Sequence, residues 1–440
     1  MTSINERYSE KFRKSGELYS KGHGVIPGGG HQSRVQKPFP YFVDHAKGSI
    51  KYDVDGNRII DYMMGFGSLI LGHSHPEVVE RVTNQMQNGT HFGALSELEL
   101  IWGRKVQDLI PSAERVRFTS SGTEATLLAM RLARGYTGKE KIIKFVEHYH
   151  GWHDYAIPQS GLNTEFGIPR DTLNSVVVLE PEISLIEDYL NSNDDVAGII
   201  FEATGGHWGQ FPLQNPTFVN DLRELTTKYG VIMIMDEVIC GFRMSKGGAQ
   251  KRFDVIPDLT TMAKIVAGGL PGGSVAGDEK IMSLLSEQDG VQKMFHPGTF
   301  NANPVSAAAG ITTLDLISKE PINQNADQTA QKLKTGLREV LHKMEVTGHV
   351  HGIASIVHLV LGVEGEESSE GVSAVSHSEL AKATMGDVPK MLKTAFLNEG
   401  IDIMGGMGFF VSAVHSQDDV SETVEKFEKV ITALRIDGVI

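Results

Sequence analysis

The sequence has a single cysteine, Cys240, among its 440 residues. That excludes an intrachain disulfide and a multi-cysteine metal site, and a reducing, cytoplasmic compartment is expected. No uninterrupted apolar run is long enough to cross a bilayer. The opening MTSINERYSEKFRKSGELYS lacks an apolar signal core and carries Glu6, Glu10 and Glu17, unlike a transit peptide. Basic runs are missing too. Lys and Arg number 41 against 55 Asp and Glu, a formal charge of -14, which argues against nucleic acid and anionic membrane as partners. No Gly-Lys-Ser/Thr follows a glycine-rich turn, and no convincing G-x-G-x-x-G follows an early strand. Neither a Walker loop nor a dinucleotide fingerprint is expected.

What remains is an ordinary soluble composition, 40% hydrophobic and 22% charged, in a chain long enough for two or three domains. Short β-rich runs alternate with helical ones through the middle: RVRFT (115–119), KIIKF (141–145), SVVVLE (175–180), VAGIIFE (196–202) and VIMIMDE (231–237). Alternation of this kind predicts an α/β fold with a mainly parallel sheet flanked by helices, placed at 61–315. The two ends, 1–60 and 316–440, are expected to form a smaller α+β domain.

Five stretches carry candidate chemistry. In FTSSGTEATLL (118–128) a strand turns through Ser120, Ser121 and Gly122 into a helix, where free N–H groups and the helix dipole can seat a phosphate. For this motif alone, an ordinary Ser/Thr N-cap with Glu124 in the first turn is the stronger reading. MDEVICGFR (235–243) sets Asp236 and Glu237 at the end of a buried strand. There an ionised aspartate can hold a proton on a heterocyclic nitrogen, or the acids can pair with Arg243 or cap the next element. EHYHGWHDY (147–155) spaces His148, His150 and His153 as HxHxxH, yet an aromatic-rich turn gives no assurance that three imidazoles converge, so no metal is expected. Tyr149 in that turn can stack on a planar ring. TMAKIVAGGLPGG (261–273) places Lys264 among apolar residues, where its stem can lie along an apolar surface with the head reaching water, or a partly desolvated amine can serve as a nucleophile with the glycines after it leaving room for a large group. HPGTFNANP (296–304) adds the Thr299 hydroxyl. A phosphate seat, a ring stacker, a buried aspartate and a lysine are together what a phosphorylated pyridine aldehyde requires.

The order SSGTEA, YHG, DEV…GFR, AKIVAGGLPGG and GTFNANP resembles class III pyridoxal-phosphate aminotransferases of fold type I over nearly the whole chain. DVDGN, LGHSHP, GGLPGG and SAVH are in the style of the branch holding glutamate-1-semialdehyde aminomutase, while HYHGWHD and DEVICGFR look closer to D-phenylglycine aminotransferase. The resemblance implies pyridoxal 5'-phosphate as cofactor, with Lys264 as its Schiff-base partner and proton shuttle. By the same likeness Asp236 holds the pyridinium proton, and Tyr149 and Val238 lie on the two ring faces. Ser121, Gly122 and Thr123 seat the phosphate. It implies a homodimer in which Thr299 reaches the neighbouring subunit's phosphate, and it makes Arg34 the grip on a substrate carboxylate. One departure stands out: where the aminomutase has a glutamate and the D-phenylglycine enzyme an arginine, this chain has Met407. A thioether supplies neither charge. The expectation is an aminotransferase moving an amino group to a keto acid from a monocarboxylate or amine with an apolar or aryl side chain, D-configured donors included. Intramolecular amino transfer of the aminomutase type is the alternative.

Overall fold

The computed structural model describes residues 2–30, 37–158, 165–287, 293–368, 371–373, 375–384, 386–405 and 407–440. The chain divides into two compact units, one of Met1–His75 with Gln324–Ile440 and one of Pro76–Asn323. The joints thus lie at 75/76 and 323/324, where 60/61 and 315/316 were expected.

Local bonding explains the shift. Strands β1 (Val43–Lys47), β2 (Ile50–Asp53) and β3 (Arg58–Asp61) form an antiparallel run. The Asp61 carboxylate then accepts from the Met63 N–H and meets the His73 ring, while Gly48 and His73 exchange two backbone bonds. Residues up to 75 therefore stay with this sheet.

The second unit holds β4 (Arg115–Thr119), β5 (Lys141–Phe145), β6 (Val176–Leu179), β7 (Val196–Phe201), β8 (Ile232–Asp236), β9 (Leu259–Ala263) and β10 (Gly273–Gly277). They make one sheet in the order β4-β10-β9-β8-β7-β5-β6. Every pairing is parallel except those of β10, which opposes both β4 and β9. The sheet is mainly parallel, with one reversed strand. β7 and β8 are buried at every position, and VAGIIF and IMIMD read accordingly as continuous apolar runs. The helix Gly122–Thr137 buries Ala125, Leu128, Ala129, Leu132 and Ala133, a three-and-four spacing that keeps one stripe on the sheet. Each large aliphatic buried in this way contributes about 1.5–3 kcal/mol. Ser121 caps its start, and Gly138, at φ 70°, closes its end.

The helix Pro304–Lys319 runs past the joint expected at 315 and keeps the second unit continuous to 323. Beyond it come β11 (Gly348–His351), β12 (Ile356–Leu361), β13 (Ile401–Asp402) and β14 (Gly408–Phe410). β13 joins β3 in parallel, and β11, β12 and β14 form a separate antiparallel sheet. Both chain ends share one core, with Ile4 and Ile60 packed among Leu333, Leu359, Phe396 and Phe427. No described helix is long and apolar enough to cross a membrane.

Candidate active site

Side chains at the carboxyl ends of parallel strands face a common crevice. Five strand ends of the second unit do so here. The segments leaving β4, β5, β7, β8 and β9 line a cavity of about 300 Å³ with Ser121, Gly122, Thr123, Tyr149, His150, Glu202, Asp236, Val238 and Lys264. Trp152 and Trp208 complete its wall.

One end is a helix start. The Ser121 hydroxyl accepts the Glu124 N–H at 3.3 Å, and Glu124 reaches back to the Ser120 N–H at 2.6 Å. The N-cap reading of this motif is therefore correct. It does not displace the other reading, because the amides of Gly122 and Thr123 take no partner among the described residues. Gly122 has to be small: a Cβ there would come within 3.0 Å of Val238. Val238 thus packs over the helix start, and its own N–H donates to Asp236 Oδ1 at 3.0 Å.

Asp236 is buried at the end of β8. Oδ1 also accepts from the Thr261 hydroxyl at 3.2 Å, and Oδ2 lies 2.7 Å from His150 Nδ1. A carboxylate only accepts, so the imidazole proton sits on Nδ1. Burial lowers the His150 pKa, although Asp236 favours the charged ring. The other two histidines go elsewhere. His148 Nδ1 accepts the Glu202 N–H at 2.9 Å, and His153 Nε2 lies 3.1 Å from the Thr126 hydroxyl. HxHxxH thus sends its rings to three different partners. Glu237 turns away from the cavity and accepts the Ala249 and Gln250 N–H groups, the capping role open to it in the sequence.

Lys264 leaves β9 at φ 55°, in the left-handed region, and opens a tight turn through Ala267. Burial pulls its amine from the ordinary 10.5 to about 8, and Asp236 and Glu202 only partly oppose this. Among the described residues its amine has no hydrogen-bond or ion-pair partner. The glycines that follow do not make room for a ligand as expected. Cβ atoms on Gly268 and Gly272 would meet the Ala309 carbonyl and the Ala267 side chain at 2.8 Å, and one on Gly273 would meet the Ser121 carbonyl at 2.6 Å. They let the Lys264 turn pack backbone to backbone on its neighbours.

Three contributors went unnoticed in the sequence. Glu202 follows β7, and burial beside Asp236 raises its carboxyl to about 8. Trp208 lines the wall at φ 50°. Lys144, fully buried in β5, donates to the Ala156 and Pro158 carbonyls at 2.7 and 2.8 Å and so staples down the loop that carries Tyr149 and His150. Burial lowers its pKa to about 7. A depressed lysine pKa alone therefore does not mark the reactive amine: Lys144 is committed to two carbonyls, whereas Lys264 has no partner among the described residues. Of the remaining sequence candidates, Thr299, in the same unit, does not line this cavity. Thr299 is exposed, with its carbonyl 2.6 Å from His91 Nε2. Met407 is buried in the other unit, and Arg34 falls outside the described residues.

A sheet of this order, with a helix start, a buried carboxylate and a desolvated lysine at its strand ends, defines a pyridoxal-phosphate enzyme of fold type I. The comparisons agree. The family model described as Aminotransferase class-III matches residues 31–431. Glutamate-1-semialdehyde 2,1-aminomutase of Sulfurisphaera tokodaii is 38% identical over 419 residues, 92% of this chain and 97% of that protein. An omega-transaminase structure from Sphaerobacter thermophilus matches with a TM-score of 0.87 and 30% identity, covering 96% of this chain and 98% of that one. A transaminase solved with PLP bound matches with a TM-score of 0.88 and 28% identity over 98% and 99% of the two chains. The chain belongs to the class III aminotransferases. Pyridoxal 5'-phosphate is its cofactor, and the cavity suits it: first-turn amides at one end and an amine at the other that have no partner among the described residues, with a buried acceptor beside the amine.

Proposed function

We propose that the protein transfers an amino group to a keto acid from an amino acid or amine bearing an apolar or aryl side chain. Bound pyridoxal phosphate supplies an electron sink. The chain's residues do the rest. Lys264 holds the cofactor through its amine and moves protons at Nζ; its lowered pKa supports this, because only the neutral amine attacks a carbonyl. Asp236, oriented by three hydrogen-bond partners, holds a proton on the ring nitrogen. The Gly122 and Thr123 amides, with the Ser121 and Thr123 hydroxyls, seat the phosphate, and Tyr149 and Val238 take the two ring faces.

The observation that carries the substrate class is aromatic. Two of the chain's three tryptophans, Trp152 and Trp208, line this cavity beside Tyr149. Flat apolar walls favour an aryl or large apolar side chain. Arg34 as carboxylate grip and Met407 as a neutral replacement for a family charge enter on the resemblance alone. A second reading, intramolecular transfer of the aminomutase type, is favoured by the 38% identity to a protein of that name.

A homodimer belongs to the same reading. Thr299 stands exposed beside exposed Phe300, and Phe92, Leu95, Leu100 and Phe295 are exposed in the same unit. His91 ties the segment at 92 to that at 299–300 through its bond to the Thr299 carbonyl and its ring contact with Phe300. Exposed apolar residues of this number support an interface. The lone thiol, Cys240, buried beside Thr204, supports a cytoplasmic setting.

The test is a panel of D- and L-aryl and aliphatic amino acids, their decarboxylated amines and glutamate 1-semialdehyde, followed through the cofactor spectrum. Aryl donors should convert it fastest. Arg34→Ala should lower kcat/KM for amino acids roughly ten- to a hundredfold relative to their amines, the worth of one charge-assisted contact. Turnover of the semialdehyde alone would establish the second reading instead.

A further inference from the structure

Glu202 has no part in the reading above, yet its contacts are specific. The carboxylate is buried, and its two oxygens have separate tasks. Oε1 accepts the Tyr149 backbone N–H at 2.7 Å, and Oε2 accepts the Trp208 backbone N–H at 2.6 Å. Its own N–H donates to His148 Nδ1 at 2.9 Å, so the residue is tied to the 147–150 turn a second time.

The segments it clasps need holding. Glu147, His207 and Trp208 sit at φ 62°, 49° and 50°, left-handed values that residues with a side chain adopt only when their surroundings enforce them. Both clasped residues are aromatic, and both line the cavity. Two acceptor oxygens on two N–H groups is the geometry of an ionised carboxylate, since a protonated acid or an amide turns one end into a donor.

We propose that Glu202 is a positioning residue, one carboxylate that sets the Tyr149 and Trp208 walls of the cavity as a single unit. Tyr149 and Trp208 come from loops far apart in sequence, and the shared acceptor fixes the spacing between the ring that meets the cofactor and the indole that meets the substrate's side chain. The Tyr149 half rests on the ring-facing role proposed above, and the Trp208 half on the aryl substrate.

The test is Glu202→Gln in the holoenzyme at pH 9, above the value near 8 to which burial raises this carboxyl. The amide keeps the shape but accepts from only one of the two N–H groups. Hydrogen–deuterium exchange should quicken at least tenfold in a peptide spanning 146–152, in one spanning 205–211, or in both, with the helix Gly122–Thr137 unchanged. The visible circular dichroism of the bound cofactor should fall by about half. kcat/KM for an aryl donor should drop roughly tenfold more than for alanine, chiefly through KM. A variant that only melts earlier, with exchange, dichroism and donor ratio within twofold of the wild type, overturns the proposal. Two controls keep the supporting readings separate. If Tyr149→Phe and Tyr149→Ala leave the dichroism untouched while Glu202→Gln still frees the 205–211 peptide, the ring-facing role of Tyr149 fails and the clasp stands. If no aryl donor is a substrate at all, exchange and dichroism still decide the clasp.

Discussion

Each unit of this chain buries a cluster of charge, and the two clusters are built in opposite ways. In the unit made from the chain ends, Asp402 meets Lys51 at 2.5 Å, Lys393 at 3.1 Å and the Tyr41 hydroxyl at 2.6 Å. Asp61 meets Lys51 at 3.0 Å and His73 at 2.6 Å. Burial pushes Lys51 and Asp402 toward their neutral forms, but the partners win: Lys51 is held well above its ordinary pKa and Asp402 well below. At the strand ends of the other unit, Lys264 has no ion-pair partner among the described residues, and burial wins. Lys264 falls to about 8 and Glu202 rises to about 8. In the first cluster Lys51, Asp61 and Asp402 are held in their charged forms through the neutral range. The second can exchange protons there. Full pairing serves structure, and incomplete pairing serves chemistry.

Breaking the paired cluster should have the larger effect. Asp402→Asn leaves Lys51 and Lys393 buried without their shared carboxylate, and breaking a buried pair in this way costs about 3–5 kcal/mol. Urea unfolding should show that loss, while the cofactor spectrum of the surviving folded protein stays as in the wild type. The sign with pH follows from the depressed Asp402 pKa: its contribution is complete above the ordinary value of 3.8 and drains away as pH falls through the lower native one. If Asp402→Asn unfolds at the wild-type urea concentration, the two clusters do not differ as described.

Titrating the under-paired cluster sharpens the same contrast with a smaller effect. In the apoprotein, Lys264 reacts only as the neutral amine. Its capture of added pyridoxal phosphate should therefore quicken about tenfold between pH 7 and 9, bending near pH 8. Stopped-flow absorbance would follow it. A profile still climbing toward 10.5 would mean that burial does not depress this amine.

Much of this was legible in the sequence, and the exceptions share a cause. The runs RVRFT and KIIKF match β4 and β5 residue for residue, because β-rich runs bounded by breakers fix their own ends. Asp236 and Lys264 stood out as charges inside apolar stretches. Glu202 carried the same signal, an acid ending VAGIIFE, as Asp236 did ending VIMIMDE; what the sequence hid was its partners, 53 and 6 residues away. His150 was visible only as one of three histidines, and only the fold shows that each ring takes a different partner. Lys144 was only one of the two lysines in KIIKF, and only the fold shows it swallowed and bonded to two carbonyls. The glycines after Lys264 misled for a similar reason. Glycine signals close approach, but the sequence does not say of what, and here it is the chain's own backbone.

The two desolvated lysines give the most direct test of the account. Lys144, near 7, and Lys264, near 8, are both shifted toward reactivity, yet only Lys264 lines the cavity with its amine unengaged. Reduction of the holoenzyme with borohydride, followed by peptide mapping, should place the cofactor on Lys264 as a secondary amine, with Lys264→Ala taking no label. A label on Lys144, or one that persists in Lys264→Ala, would contradict the account.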